Sequence, residues 1–232
     1  MSQSLPPGRR RRSPVHRAGR ATLNAESIAA AMLELAGRSG FAAVTMQDLA
    51  AHLGVTVRAV YRHVRDRQEV VDRAVELWLS GWPGPDLDPG EWRTSLRDFC
   101  HLHRAIGRRH PRALLVSLEE QIGDARIPAQ RLTAPEAFLE FLTAVGLDLG
   151  DALLVHGNLM VRLYGFILFV DYRADAGAPV AEQYPVPEVW LDHHPELDLP
   201  LLRRARAEVR FDADALFDDL VADVIHAVER HL

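Results

Sequence analysis

The chain has 232 residues, 48% of them hydrophobic and 25% charged, enough to bury a substantial core and ordinary for a soluble globular protein. A single cysteine, Cys100, excludes an intramolecular disulfide framework and suits a reducing compartment. The net charge of -5 is unevenly spread: residues 1–73 hold twelve Arg against six Asp and Glu, the remainder fifteen Arg against twenty-six acids. A basic front joined to an acidic body fits a protein with one polyanion-facing end.

Residues 1–22, rich in Pro, Gly, Ser and Arg and including the run Arg9 to Arg12, have no periodicity and read as a mobile arm. That arm supplies six of the twelve front arginines, so it is either a minor-groove or phosphate contact or a solubilising tail. No apolar segment follows it, so no secretory signal is expected. Asn24 is placed to cap a helix through Ile28, Met32 and Leu35 that stops at Gly40. Thr45 and Asp48 have capping-box spacing and open a short helix to Leu53. Gly54-Val55 makes a turn, and Thr56 caps another short helix through Val64. Asp66 and Glu69 repeat the cap before a longer helix through Val70, Val71, Ala74 and Trp78.

Pro83, Gly84, Pro85, Pro89 and Gly90 mark a module boundary. The segments 91–109, 111–122, 133–146, 149–172 and 212–231 then read as helices, with a weaker one at 199–209. Residues 174–198 read as a long loop. The pattern is all-α: an arm over 1–22, a three-helix unit with its connecting helix over 23–81, and a larger helical unit over 82–232.

A helix-turn-helix needs a glycine in the turn, a small residue where the helices touch, and apolar residues that lock the crossing angle. Gly54, Ala50 and the set Leu49, Leu53, Val55 and Val60 meet those needs. Arg58, Tyr61, Arg62 and His63 then fall on the outer side of the second helix, residue types that donate to phosphates and base edges. The stretch from Thr45 to Val70, TMQDLAAHLGVTVRAVYRHVRDRQEV, with its lead-in from Ala36 to Phe41, resembles the TetR family signature over about residues 24–75. The resemblance implies a transcriptional regulator, most simply a repressor released by a small molecule, and not an enzyme. It implies that Thr45 caps its helix and touches a phosphate, that Val57, Arg58 and Ala59 face bases, and that Tyr61 and His63 grip phosphates. Arg67 stands where the family usually has lysine and would bring a bidentate fork to phosphate. Arg62 would reach a base or a phosphate, and Gln47 and Thr56 complete the DNA-facing set. Tyr61 alone also fits a half-buried packing residue, and His63 alone a plain surface residue.

Segment 149–172 is apolar almost all round, but His156, Asn158 and Arg162 argue against a membrane span. It therefore needs cover on all sides. The last helix carries an apolar stripe through Phe217, Leu220, Val221, Val224, Ile225 and Val228, which either closes the core of one chain or meets a second copy. TetR-like proteins dimerise through their last two long helices. The resemblance thus implies a homodimer interface at Leu159, Phe166 and Val170 with Phe217, Val221, Val224, Ile225 and Val228. The run from Phe211 to Leu220 is similar to the tetracycline-repressor-like subgroup. The family's ligand site lies among the central helices, where Trp92, Phe99, His103, Phe138, Phe141, Asn158, Arg162 and Tyr164 are candidate linings. The polar interruptions at His103, Asn158 and Arg162 suggest a ligand with a polar or anionic group.

His101 and His103, two apart on a helix, point away from each other, and His193-His194 has no acidic or Cys cluster beside it, so no metal is expected. No cofactor motif is visible. The partners expected are double-stranded DNA with a near-palindromic operator, a small-molecule effector and a second copy of the chain, in the cytoplasm and without a membrane. Two rivals stay open: a helical carrier or enzyme without specific DNA binding, and an effector-free activator or architectural protein.

Overall fold

The computed structural model describes residues 23–82, 84, 86–120, 129–178, 180–209 and 212–232. The arm and its Arg9 to Arg12 run, Pro83 and Pro85 lie outside the described residues, which form helices and no strand. At the front, α1 (Ala25–Ser39) is fixed by a reciprocal cap in which the Asn24 side chain accepts from the Ser27 N–H at 2.8 Å and the Ser27 hydroxyl accepts from the Asn24 N–H at 3.0 Å. It is followed by α2 (Met46–Leu53), α3 (Val57–Val60) and α4 (Arg67–Ser80). Ile28, Met32, Phe41, Leu49, Val60 and Val70 are fully buried among these four helices. Removing such side chains from water stabilises by roughly 1.5–3 kcal/mol each, which sets the crossing angles that chain connectivity leaves free.

The helix α3 is shorter than its sequence pattern, which runs to Val64. Beyond Val60 the chain tightens into turns, with the His63 N–H bonded to the Val60 carbonyl at 2.9 Å, before Val64 turns inward.

The body comprises α5 (Trp92–Gly107), a 3-10 turn at Pro111–Leu115 leading into α6 (Val116–Glu119), α7 (Gln130–Val145) and α8 (Leu149–Phe166). A π-helical turn over Ile167–Asp171 continues α8 into α9 (Tyr172–Asp175). Three shorter helices follow, α10 (Val180–Gln183), α11 (Glu188–His193) and α12 (Pro200–Glu208), and the chain closes with α13 (Ala213–Glu229). The stretch 174–198 is therefore not one loop: α10 and α11 form in it, anchored by buried Val180 and Leu191 rather than by any extended periodicity.

A second core joins α5, α7, α8 and α13 through Leu96, Phe138, Leu142, Leu163 and Phe217. At Gly107 α5 approaches the π turn closely: a Cβ there would lie 2.6 Å from Cδ1, the far end of the Ile167 side chain, which would have to shift. Cys100 is buried in this core, and burial pushes its thiol up to about 12, leaving negligible thiolate at neutral pH.

The residues assigned to a dimer interface are internal. Leu159, Phe166 and Val170 on one side and Phe217, Val221, Val224, Ile225 and Val228 on the other are each no more than 8% exposed, packed within the single chain's core. Helical periodicity identifies an apolar stripe but not which neighbour it meets. The outer face of α8 is instead Leu153, Leu154, Val161 and, past its end, Phe169, all at least 51% exposed. Leu149–Asp175 is long and apolar enough to cross a membrane by composition, with mean hydropathy 1.7, yet it runs through this core with Leu159 and Leu163 buried.

Candidate nucleic-acid interface and ligand cavity

The front unit presents its reading surface through three local devices. The Thr45 hydroxyl accepts from the Asp48 N–H at 3.1 Å and the Asp48 carboxylate accepts from the Thr45 N–H at 3.0 Å. The Thr45 hydroxyl, then its N–H, hold the Asp48 carboxyl below its ordinary range. Gly54 closes α2 in the left-handed region, at φ 64° and ψ 36°, where a side chain would be strained. The Thr56 hydroxyl then accepts from the Ala59 N–H at 3.2 Å, starting α3 at once. With Leu49, Ala50 and Val60 buried beneath, α3 has one orientation and its other side faces outward.

On that side Arg58, Tyr61, Arg62 and His63 are exposed, Tyr61 by 47%, with Thr45, Gln47 and Thr56 also exposed and Val57 and Ala59 half-buried. Neither guanidinium, of Arg58 or Arg62, is bonded to a carboxylate among the described residues. Of the ten residues expected to face DNA, seven are thus exposed and Val57 and Ala59 half-buried.

Arg67 is the exception. Its Nε donates to the Val44 carbonyl at 3.1 Å and one terminal nitrogen to the Phe41 carbonyl at 2.5 Å. The fork also grips the Glu120 carboxylate at 2.6 and 3.2 Å. The fork expected to hold a phosphate instead ties the front unit to the end of α6, because the chain brings a buried carboxylate and two turn carbonyls to it. Glu69, a cap residue of α4, has a similar structural role: the Arg65 N–H and the Arg73 side chain hold its carboxyl down to about 2.

In the body, a cavity of about 540 Å³ opens between the end of α4, α5, α7 and α8. That volume is within the usual range for a small-molecule site. Phe99, His103, Phe138 and Tyr164 line it, as expected. The other four candidates do not. Trp92 and Phe141 are buried in the core, Trp92 under the Arg93 guanidinium at 4.2 Å. Asn158 and Arg162 lie on the outer side of α8: the Asn158 amide donates to the Leu154 carbonyl at 2.9 Å and Arg162 meets Asp223 of α13 at 3.2 Å. Their interruption of an apolar run is explained by exposure. The cavity also takes in Trp78, Trp82, His156, Met160 and Arg131, absent from the sequence-derived set. Trp78 and Trp82 escape it because they belong to the connecting helix and its end; only their i, i+4 spacing hints that they share a face.

His101 and His103 diverge as helical spacing requires: His101 approaches Asp218 at 3.5 Å, whereas His103 stacks on Phe99 at 3.7 Å within the cavity wall. His103 Nδ1 donates to the Phe99 carbonyl at 2.9 Å, and burial lowers its pKa to about 4, so it is neutral at physiological pH.

A short helix held outward across a glycine turn, with Arg58 and Arg62 exposed beside it, on a front unit attached to a helical body with a cavity, defines a helix-turn-helix DNA-binding regulator. Residues 28–74 match the family model of bacterial regulatory proteins, tetR family. The chain is 26% identical over 189 residues to the HTH-type transcriptional repressor Rv1353c of Mycobacterium tuberculosis, covering 78% of this chain and 69% of that protein. It is 27% identical over 144 residues to the repressor DrrR1 of Streptomyces coeruleorubidus, covering 62% and 51%. The fold is shared with ActR of Streptomyces coelicolor, at TM-score 0.62 and 20% identity over 90% of this chain and 98% of that one. Residues 28–74 thus carry a DNA-binding domain of the tetR type, and the protein is a DNA-binding transcriptional regulator.

Proposed function

We propose that the protein is a homodimeric cytoplasmic repressor that leaves its operator when a small molecule enters the cavity. The exposed row Arg58, Tyr61, Arg62 and His63, on α3 and the turns that follow it, carries this reading. Two copies would each set α3 in a major groove, with Val57, Arg58 and Ala59 toward bases and Thr45, Gln47, Thr56, Tyr61 and His63 toward the backbone. Half-sites one helical turn or a multiple apart then give a near-palindromic operator. Residues 23–81 act as the reading unit and 82–232 as the sensing and dimerising unit. ActR has been crystallised with actinorhodin, which supports a small-molecule role for the corresponding region here.

The cavity wall includes the end of α4, the last helix of the reading unit. A ligand that favours one position of α4 therefore favours one spacing of the two reading helices. By linkage, ligand and operator weaken each other's binding equally. The outer face of α8, with Leu153, Leu154, Val161 and Phe169 exposed, supplies the apolar surface for the second copy.

The test is binding of the purified protein to DNA flanking its own gene, against unrelated DNA, at several salt concentrations. Specific binding that falls at least tenfold in Arg58→Ala is the expected result. Equal, salt-driven affinity for both DNAs, with no preferred sequence in a genome-wide selection, would favour a ligand carrier instead.

A further inference from the structure

Six arginines lie in residues 23–82, and the fold divides them into two groups. Arg38 pairs with Glu34 at 2.9 Å, Arg65 with Glu69 at 3.2 Å, Arg67 with Glu120 at 2.6 Å and Arg73 with Glu69 at 2.9 Å. The guanidinium groups of Arg58 and Arg62 have no partner among the described residues, and both residues are exposed. An arginine fork carries five N–H donors and no acceptor. In the major groove it matches one base edge fully: guanine, whose O6 and N7 are neighbouring acceptors. Adenine sets a donor beside its N7, cytosine presents a donor, and thymine offers one oxygen beside a methyl, so none of them takes both prongs. A phosphate does take both, so position on the helix decides between base and backbone.

Val60, fully buried, marks the inner line of α3. Arg58 stands two residues before it and, at about 100° per residue, projects about 160° away. Beyond Val60 the Tyr61 N–H bonds the Val57 carbonyl at 3.1 Å and the Arg62 N–H bonds the Ala59 carbonyl at 3.3 Å, so the coil continues while tightening. Arg62 therefore projects about 140–160° from Val60, on the same outer line as Arg58. Tyr61, about 100° from Val60, and His63, closer to it still, stand to the sides, toward the phosphates of the groove walls. The two unpaired forks are thus the ones aimed at the groove floor.

We propose that Arg58 and Arg62 are the specificity-determining residues, each donating to O6 and N7 of one guanine, so that every operator half-site carries two guanines, on either strand, within about three base steps. The proposal rests on α3 entering the major groove, as read above. It commits Arg62 to a base edge and gives both contacts a base identity. The spacing follows from the helix: the four residues from Arg58 to Arg62 advance about 6–7 Å, about two base steps of about 3.4 Å each.

The test selects binding sites from a random duplex library with the full-length protein, then titrates the selected site with 7-deazaguanine at one position at a time. That base keeps its pairing and its O6 but lacks the N7 acceptor, so one prong of the contact is lost. The expected result is two enriched guanines in each half-site, each weakening binding at least about fivefold when replaced. Arg58→Ala should abolish that effect at one position and Arg62→Ala at the other, with the remaining sequence preference kept. Both guanidinium groups are without partners in the fold, so neither substitution removes a folding contact, and the comparison on the unaltered protein needs no variant. An enriched site that tolerates 7-deazaguanine throughout overturns the guanine assignment and leaves the operator reading in place. Sensitivity that survives removal of an arginine, with all sequences weakened alike, makes that arginine a phosphate contact and overturns its assignment. No enriched sequence at all overturns the operator reading itself, and the assignment with it.

Discussion

Arg104 of α5 and Asp171 of the π turn form a two-pronged pair, 2.9 Å from Nε and 2.7 Å from a terminal nitrogen, with side chains 7% and 0% exposed. The third guanidinium nitrogen reaches Asp214 of α13 at 2.8 Å, and the cation sits over the Phe217 ring at 4.5 Å. One side chain thus ties together α5, the end of α8 and α13. Arg104→Ala would strand the Asp171 carboxylate in the core, and a loss of about 3–5 kcal/mol is expected. Replacing both partners with apolar residues, Arg104→Met with Asp171→Leu, should recover most of it. Urea midpoints of the unaltered protein and the two variants check this.

Arg67 discriminates structural from DNA-contacting arginines. Its removal leaves Glu120, 9% exposed at the side chain, without its cation, so Arg67→Ala should destabilise by about 2–4 kcal/mol. Arg67→Lys should restore only part, since an ammonium cannot span Glu120 and two carbonyls together. In operator binding, Arg58→Ala should flatten the dependence of log affinity on log salt by about one unit. Arg67→Ala should leave that slope unchanged.

The two sides of α8 predict opposite phenotypes. Leu159→Ala hollows the core of one chain and should cost about 2–5 kcal/mol with oligomeric state unchanged. Val161→Glu changes a residue 74% exposed in the single chain, so monomer stability should hold within about 0.5 kcal/mol while the proposed dimer dissociates. Sedimentation across a concentration series distinguishes them.

The pH dependence follows from His103. Its folded pKa, about 4, lies below its ordinary 6.5, chiefly because burial opposes the charge. Burial also lowers His156 and His110. Below about pH 6.5 the unfolded chain takes up protons that the folded chain refuses, so stability is full above 6.5 and falls as the pH falls toward 4. His103 alone should remove about 2 kcal/mol between pH 7 and pH 5. His103→Phe should flatten that part of the profile, read from urea midpoints at the two pH values.

The reading unit was legible because each device is local: Asn24, Thr45, Thr56 and Asp66 each cap a helix within three residues, and Gly54 meets a backbone requirement that few other residues can. The faces of α8 were not. With Leu, Val, Ile and Phe around most of its circumference, hydrophobic period carries no phase, and Asn158 and Arg162 mark solvent rather than the cavity. The role of Arg67 was hidden for another reason: Glu120 is fifty-three residues away, and sequence spacing says nothing about which carboxylate a fold returns to a given cation.

The core of the reading unit is not made from its own residues alone. Ala113, Leu114, Val116 and Ile167 are buried in it, the Tyr172 hydroxyl donates to the Arg38 carbonyl at 3.2 Å, and the Ala42 N–H donates to Glu119. A fragment ending at residue 81 would therefore expose an apolar underside, and grafting this unit onto a foreign body would require transplanting residues 110–120 with it. Modularity of sequence here does not extend to modularity of folding: the helix-turn-helix part and the cavity-bearing part share one seam of side chains, and neither is a cassette.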